Sequence, residues 1–212
     1  MDFQSNRFYH IISYGCQANM SDSEHYAGQL EELGYHNTED LDTADVILIN
    51  TCCVRETAED KTLGKIGELK HLKKQNPDLI IAVTGCMAQE WQDKLFKRAP
   101  HIDLVIGTHN IHKLIELIRE RRSKADHYMA ADMTLPAFHD MPVKRFQKFF
   151  AWIPIMNGCN KFCTYCIVPY VRGREVSRPI DAIVEEIKKV AAEGYKEITL
   201  LGQNVNSYGL DL

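Results

Sequence analysis

Three thiols stand close together in the run Gly158-Cys159-Asn160-Lys161-Phe162-Cys163-Thr164-Tyr165-Cys166, a Cys-x3-Cys-x2-Cys spacing with an aromatic residue before the last cysteine. An iron–sulfur cubane normally takes four cysteines. Three on one short loop would hold three irons and leave the fourth open to another ligand. An open iron of this kind can chelate the amino and carboxylate groups of a bound amino acid and pass one electron into a neighbouring sulfonium bond. The competing readings are a pair of buried thiols with a chance third, or part of a zinc site. Zinc asks for a fourth protein ligand, and no Cys or His follows Cys166.

A second pattern is spread along the first half of the chain. Cys16 follows an apolar strand-like segment in Tyr14-Gly15-Cys16-Gln17-Ala18-Asn19. Cys52 follows the next in Ile49-Asn50-Thr51-Cys52, and Cys86 a third in Val83-Thr84-Gly85-Cys86. A lone cysteine is often only a small buried hydrophobe. Three at equivalent strand ends of one parallel sheet converge on one edge, and again suggest three thiolates around a cluster with an open iron. Cys53 is expected to point away from Cys52 and to serve packing. The nine histidines show no pairing, and His109 and His112, near a helix start, are expected to be solvated surface residues.

The elements that must position these thiols alternate regularly up to about residue 122. Strands are expected at 7–13, 46–49, 79–83 and 103–106, and helices at 21–33, 56–74, 89–98 and 111–122. Ser21 and Glu24 form a capping-box pattern, and Gly34 stops that helix. The continuous apolar run at 46–49 suits a strand buried on both faces. A doubly wound parallel-sheet α/β domain is therefore predicted for residues 1–122. Residues 123–147 lack a clean period and read as a linker, with a short strand possible near 128–130. A second β/α pattern begins at 148, with a strand at 149–156, the cysteine loop, a helix at 179–193 and a strand at 197–201. The cysteine loop thus leaves the C-terminal end of a strand, where α/β barrels and sheets place their active sites. Gln203 and Asn204 follow the last strand and lie beside that loop, where their amides can bond a polar ligand.

Composition narrows the class further. The chain has 212 residues, of which 45% are hydrophobic and 25% charged, ordinary values for a globular protein. No apolar run is long enough to span a bilayer, and the start Met1-Asp2-Phe3-Gln4-Ser5 does not resemble a signal segment. A cytoplasmic protein without membrane contact is expected, in which seven cysteines mean metal or redox chemistry and not disulfides. The net charge of −4 does not mark a nucleic-acid binder. Between Asp140 and Arg178, however, seven basic residues face two acidic ones. Such a stretch is either a solvated face or a surface that attracts an anion such as RNA.

The run from Cys159 through Cys163 and Cys166 to Pro169, Arg172 and Gly173 resembles the signature of radical S-adenosylmethionine (SAM) enzymes, in the version used by methylthiotransferases. Gly15-Cys16-Gln17-Ala18-Asn19, Asn50-Thr51-Cys52, Val54-Arg55-Glu56 and Gly85-Cys86 resemble the N-terminal domain of the same family. Arg55-Glu56 and Leu201-Gly202-Gln203-Asn204-Val205-Asn206 are most similar to its tRNA-modifying branch. The resemblance implies two [4Fe-4S] clusters, one on Cys159, Cys163 and Cys166 that binds S-adenosyl-L-methionine, and an auxiliary one on Cys16, Cys52 and Cys86 concerned with sulfur. It implies Tyr165 near the cofactor adenine and Gln203 and Asn204 near its methionyl end. It implies transfer of a methylthio group to C2 of N6-isopentenyladenosine beside the anticodon of tRNA, an electron donor such as flavodoxin or ferredoxin, and a monomer at full length. The alternatives are a methylthiotransferase acting on a ribosomal-protein aspartate and a non-catalytic iron–sulfur protein. Family members are about twice as long, with a six-stranded partial TIM barrel and a C-terminal RNA-binding domain. Residues 148–212 would supply only the first two β/α units of that barrel, so the chain alone is expected to be inactive.

Overall fold

The structure, a computed structural model, describes residues 6–53, 56–133 and 141–212; the side chains of residues 56–58 lie outside that description. Its larger unit is a six-stranded, all-parallel sheet. The strands are β1 (Arg7–Ser13), β2 (Tyr35–Asn37), β3 (Val46–Thr51), β4 (Ile80–Gly85), β5 (Leu104–Ile106) and β6 (Tyr128–Ala130), in the order β2-β1-β3-β4-β5-β6. Every residue of β3 and β4 is buried, as the continuous apolar runs require. Side chains alternate across the sheet. Val46 and Leu48 face one layer, made with α1 (Gln17–Glu32) and α6 (Leu114–Ser123) through Tyr26, Leu30 and Leu117. Ile47 and Ile49 face the opposite layer, made with α2 (Glu56–Glu68), α3 (Lys70–Gln75), α4 (Cys86–Trp91) and α5 (Lys94–Arg98) through Ile66, Leu72, Met87 and Leu95. Each fully buried aliphatic side chain contributes roughly 1.5–3 kcal/mol through removal from water. The doubly wound class expected from the sequence is the one observed.

Three local differences from the sequence reading matter for the site. Helix α1 begins at Gln17, four residues before the expected Ser21 cap. Its N-cap is Cys16, with the Asn19 side chain reaching back to the Cys16 N–H at 3.3 Å. Ser21 and Glu24 are interior, buried helix residues. Helix α4 likewise starts directly on Cys86 and breaks at Gln92, whose φ is +47°. Finally, the sheet continues beyond residue 122. Tyr128–Ala130 pairs in parallel with β5 as a sixth strand, because the Gly107 N–H and the Asp103 carbonyl extend the ladder onto it.

The smaller unit pairs β7 (Phe150–Pro154) in parallel with β10 (Glu197–Leu201) across α8 (Ile180–Ala192), which packs Ile183 and Val190 on Ile153 and Met156. A two-residue antiparallel ribbon, β8 (Met156–Asn157) with β9 (Val176–Ser177), closes the root of the cysteine loop, and α7 (Val168–Val171) follows that loop. Chain 141–147 runs along α1, and the Lys144 N–H bonds the Glu24 carbonyl at 2.9 Å. Gly28 permits this approach, since a Cβ there would lie 2.5 Å from the Pro142 carbonyl oxygen.

Buried ion pairs join the two units. Arg145 donates to Glu24 of α1 at 3.4 Å, to Glu186 of α8 at 2.8 Å and to the Trp152 carbonyl at 3.0 Å. Arg178 donates to the other Glu186 oxygen at 2.6 Å. Arg172 donates to Asp22 of α1 at 2.6 Å. The basic stretch noted in the sequence is thus turned partly inward. Arg145, Arg172 and Arg178 neutralise carboxylates at the seam, and Lys148, Lys161 and Arg174 remain exposed.

Candidate metal centres

The strand order places Cys16, Cys52 and Cys86 together at one edge. Between β1 and β3 the winding direction reverses, and such switch points open a crevice at the C-terminal ends of the strands. Cys16 follows β1, Cys52 follows β3 and Cys86 follows β4, with Ser13 paired to Asn50 and Thr51 to Gly85 across the ladders.

An asparagine pair locks these ends to one another. Asn19 Nδ2 donates to Asn50 Oδ1 and to the Thr51 carbonyl, both at 3.1 Å. Asn50 Nδ2 returns a bond to the Asn19 carbonyl at 2.7 Å and another to Ser23 Oγ at 2.9 Å. Both asparagines are fully buried, and an unmet buried amide costs about 1–3 kcal/mol. The residue before Cys52 is therefore tied to the helix that Cys16 caps. Both asparagines lie within the cysteine motifs, which do not by themselves reveal this role. The signal was a polar residue inside an otherwise apolar strand, at Ile49-Asn50-Thr51.

Cys86 is buried. Its sulfur takes hydrogen bonds from the Cys53 thiol and from Arg172. The Cys53 contact, with Arg172 acting in the same direction, holds Cys86 below the usual thiol range at about 6. The Cys53 thiol is pushed up, first by that same bond and then by burial. Cys53 packs against the core layer beneath the sheet, as expected, but its thiol also reaches Cys86. The Cys16 sulfur lies 3.4 Å from Asn19 Oδ1. Among the described residues, no three Cys, His, Asp or Glu side chains surround a common point. The backbone brings the three strand ends to one edge and supplies a donor set of thiols only, which suits iron–sulfur ligation. Val54 and Arg55 of the family-like motif lie outside the described residues.

The second set leaves β8. Cys159 is buried, Cys166 half-buried and Cys163 exposed. The Cys159 N–H bonds the Gly173 carbonyl at 3.0 Å, the Cys166 N–H bonds the Cys163 carbonyl at 2.9 Å, and Arg174 stacks 4.5 Å above the Phe162 ring. Phe162 adopts φ +46°, so the loop turns sharply between its first two cysteines. Here too the donors are thiols alone. Gln203 Oε1 accepts the Gly158 N–H at 2.5 Å, so Gln203 holds the loop. Asn204 bonds Glu175 at 2.8 Å and Ser207 at 2.6 Å. Tyr165 is 91% exposed. A cleft of about 790 Å³ between α1 and the β7–α8 unit has Arg172 and Gln203 on its walls, each touching one of the two cysteine sites.

His109, expected at the surface, is buried, with its Nε2 3.1 Å from the Arg172 carbonyl. The loop after β5 lies beneath the segment that follows α7, where Thr108 Oγ1 also donates to the Val171 carbonyl. The sequence pattern of either unit alone does not reveal this contact.

A glycine precedes a cysteine at both sites where the backbone is left-handed. Gly85 has φ +89°, and a Cβ there would fall 2.4 Å from the Thr51 carbonyl oxygen. Gly158 has φ +78°, and its Cβ would fall 2.0 Å from the Arg174 carbonyl oxygen. Gly158→Ala is expected to cost at least about 3 kcal/mol, because backbone strain and a backbone clash add. Chemical denaturation of this chain checks it: a midpoint equal to wild type would show that the loop root tolerates a side chain.

Two family models match the chain: "Uncharacterized protein family UPF0004" over residues 8–107 and "Radical SAM superfamily" over residues 153–210. The tRNA-2-methylthio-N(6)-dimethylallyladenosine synthase of Dictyoglomus thermophilum is 52% identical over 205 residues, which is 96% of this chain and 47% of that protein. The protein of the same name from Staphylococcus aureus strain Newman is 52% identical over 211 residues, covering 98% of this chain and 41% of its own length. The chain spans about half the length of the curated relatives it matches. Among solved structures, the radical S-adenosylmethionine methyltransferase TsrM from Kitasatospora setae, with cobalamin and a [4Fe-4S] cluster bound, shares the fold. The TM-score is 0.60 at 14% identity, over 95% of this chain and 49% of that one.

Proposed function

The chain belongs to the methylthiotransferase family of radical S-adenosylmethionine enzymes, and on that premise we propose that the full-length protein adds a methylthio group to C2 of N6-isopentenyladenosine beside the anticodon of tRNA. The 52% identity to synthases named for this product supports the substrate, and the two sets of three cysteines, one at strand ends and one on a single loop, support the chemistry. When bound, the cofactors would supply an S-adenosylmethionine-derived radical at one cluster and sulfur at the other.

This chain's own residues do the holding and orienting. Cys159, Cys163 and Cys166 would ligate the S-adenosylmethionine cluster, and Cys16, Cys52 and Cys86 the auxiliary one. Gln203 fixes the first loop through the Gly158 N–H, and the asparagine pair fixes Cys16 relative to Cys52. Asn204 would orient the cofactor's methionyl end and Tyr165 its adenine, the ring's exposure leaving it open to a ligand. The cleft between the units, walled in part by Arg172 and Gln203, would admit the adenosine. The electron would come from a small donor such as flavodoxin or ferredoxin, and the enzyme would act as a monomer in the cytoplasm. No described helix is long and apolar enough to cross a membrane.

The test is nucleoside analysis of tRNA incubated with the anaerobically reconstituted full-length enzyme, S-adenosylmethionine and reductant. Appearance of 2-methylthio-N6-isopentenyladenosine supports the reading. Unmodified tRNA, alongside a methylthiolated ribosomal-protein aspartate, would refute it.

A further inference from the structure

We infer that Arg172 is a positioning residue for the Cys16–Cys52–Cys86 centre. Its guanidinium lies against the Cys86 sulfur, and its backbone couples that centre to the main chain holding Cys159. The inference rests on reading these three cysteines as cluster ligands. It adds a residue from the other unit to their surroundings.

Arg172 stands six residues beyond Cys166, at the end of α7, and α7 packs against α4, the helix that begins at Cys86. Its side chain is 6% exposed, hydrogen-bonds the Cys86 sulfur and ion-pairs Asp22 at 2.6 Å. Its backbone is held from the same side, by His109 on its own carbonyl and Thr108 on the Val171 carbonyl. The next residue, Gly173, accepts the Cys159 N–H. Two consecutive residues therefore touch the two cysteine sites, one by side chain and one by main chain. Gly173 has φ +72°, and a Cβ there would lie 3.2 Å from His109 Nε2, so the close contact depends on glycine.

A buried guanidinium is rarely left uncompensated, and Asp22 compensates it here. The Cys86 sulfur lies against the same cation. Reduction adds negative charge to a thiolate-bound cluster, and hydrogen bonds and charge at its sulfurs move its potential. Arg172 should raise that potential, and Asp22 should moderate the rise. A residue that merely glues two units together would make no such pair of opposite effects.

The experiment uses the full-length protein carrying Cys159→Ala, Cys163→Ala and Cys166→Ala, so that a single cluster is read by spectroelectrochemical titration. Adding Arg172→Gln should lower the midpoint potential by at least a tenfold shift in the reduced-to-oxidised ratio, about 59 mV for a one-electron couple. Adding Asp22→Asn should raise it, and Arg172→Lys should stay nearer the parent than Arg172→Gln does. An unmoved potential in Arg172→Gln overturns the inference and leaves the tRNA reading intact. If Arg172→Gln fails to hold a cluster, Asp22→Asn decides: a rise supports the inference, and an unmoved or lowered potential overturns it. A parent protein that binds no cluster overturns both this inference and the ligand assignment beneath it.

Discussion

Cys86→Ala in the full-length enzyme is expected to halve the iron bound after anaerobic reconstitution, from about eight to about four per chain, and to abolish methylthio transfer. Cys86 opens α4 at the end of β4, beside the ends of β3 and β1, and its sulfur is the one that Arg172 and Cys53 approach. Alanine at this position removes one thiolate of the three. The reach of the Cys53 thiol to Cys86 makes a second comparison useful. If Cys52 is the ligand, Cys52→Ala loses the same four irons, whereas Cys53→Ala retains about eight. Colorimetric iron analysis with tRNA nucleoside analysis checks both. Full iron in Cys86→Ala, or iron loss that follows Cys53 instead of Cys52, would contradict the assignment.

Arg145→Ala is expected to destabilise this chain by about 3–5 kcal/mol at neutral pH, because it leaves the buried Glu24 carboxylate without its cation, while the half-buried Glu186 keeps Arg178. The Arg145 side chain is 8% exposed and that of Glu24 is 2%. Burial already holds the Glu24 carboxyl above its usual range, with the Phe146 N–H and the guanidinium opposing that rise. A carboxyl raised in the folded state contributes stability below its ordinary value of 4.5 that is lost as pH rises through the folded value. Removing the guanidinium pushes Glu24 higher still. The deficit of Arg145→Ala should therefore be larger near pH 7 than near pH 4.5, where Glu24 is increasingly neutral. Urea denaturation of wild type and variant at the two pH values measures it. A deficit under about 1 kcal/mol, or one that does not change with pH, would mean that the seam network is not desolvated.

Much of the fold was legible because parallel strands buried on both faces announce themselves as short apolar runs. Val46–Thr51 and Ile80–Gly85 are such runs, and the cysteines that follow them were placed at strand ends from that pattern alone. The start of α1 was not legible. Ser21 and Glu24 make a convincing cap in sequence, but the helix begins at Gln17, capped by Cys16, and Glu24 is instead taken by Arg145 and Phe146. Strand β6 was read only as a possible segment within a linker. Three residues carry little periodicity, and their place is fixed by the ladder on β5.

Charge misled for a related reason. Counting Arg145, Arg172 and Arg178 as a basic stretch ignores Asp22 and Glu24, which lie far away in sequence, and Glu186, just beyond the stretch, all of which pair with them. The same seam buries His109, which sequence spacing assigned to the surface. What local sequence conveyed well was the identity of the chemical groups. What it could not convey was which groups from the two units face one another.

On the proposed reading, the two cysteine sets hold two separate clusters, only one of which binds S-adenosylmethionine. Electron paramagnetic resonance of the reduced full-length enzyme, with iron counted on the same sample and S-adenosylmethionine titrated in, tests it most directly. About eight irons per chain and two signals are expected. S-adenosylmethionine should shift one signal, absent from the Cys159→Ala variant, and leave the other, absent from Cys86→Ala, unchanged. A single signal with about four irons, or two signals that both move, would contradict it.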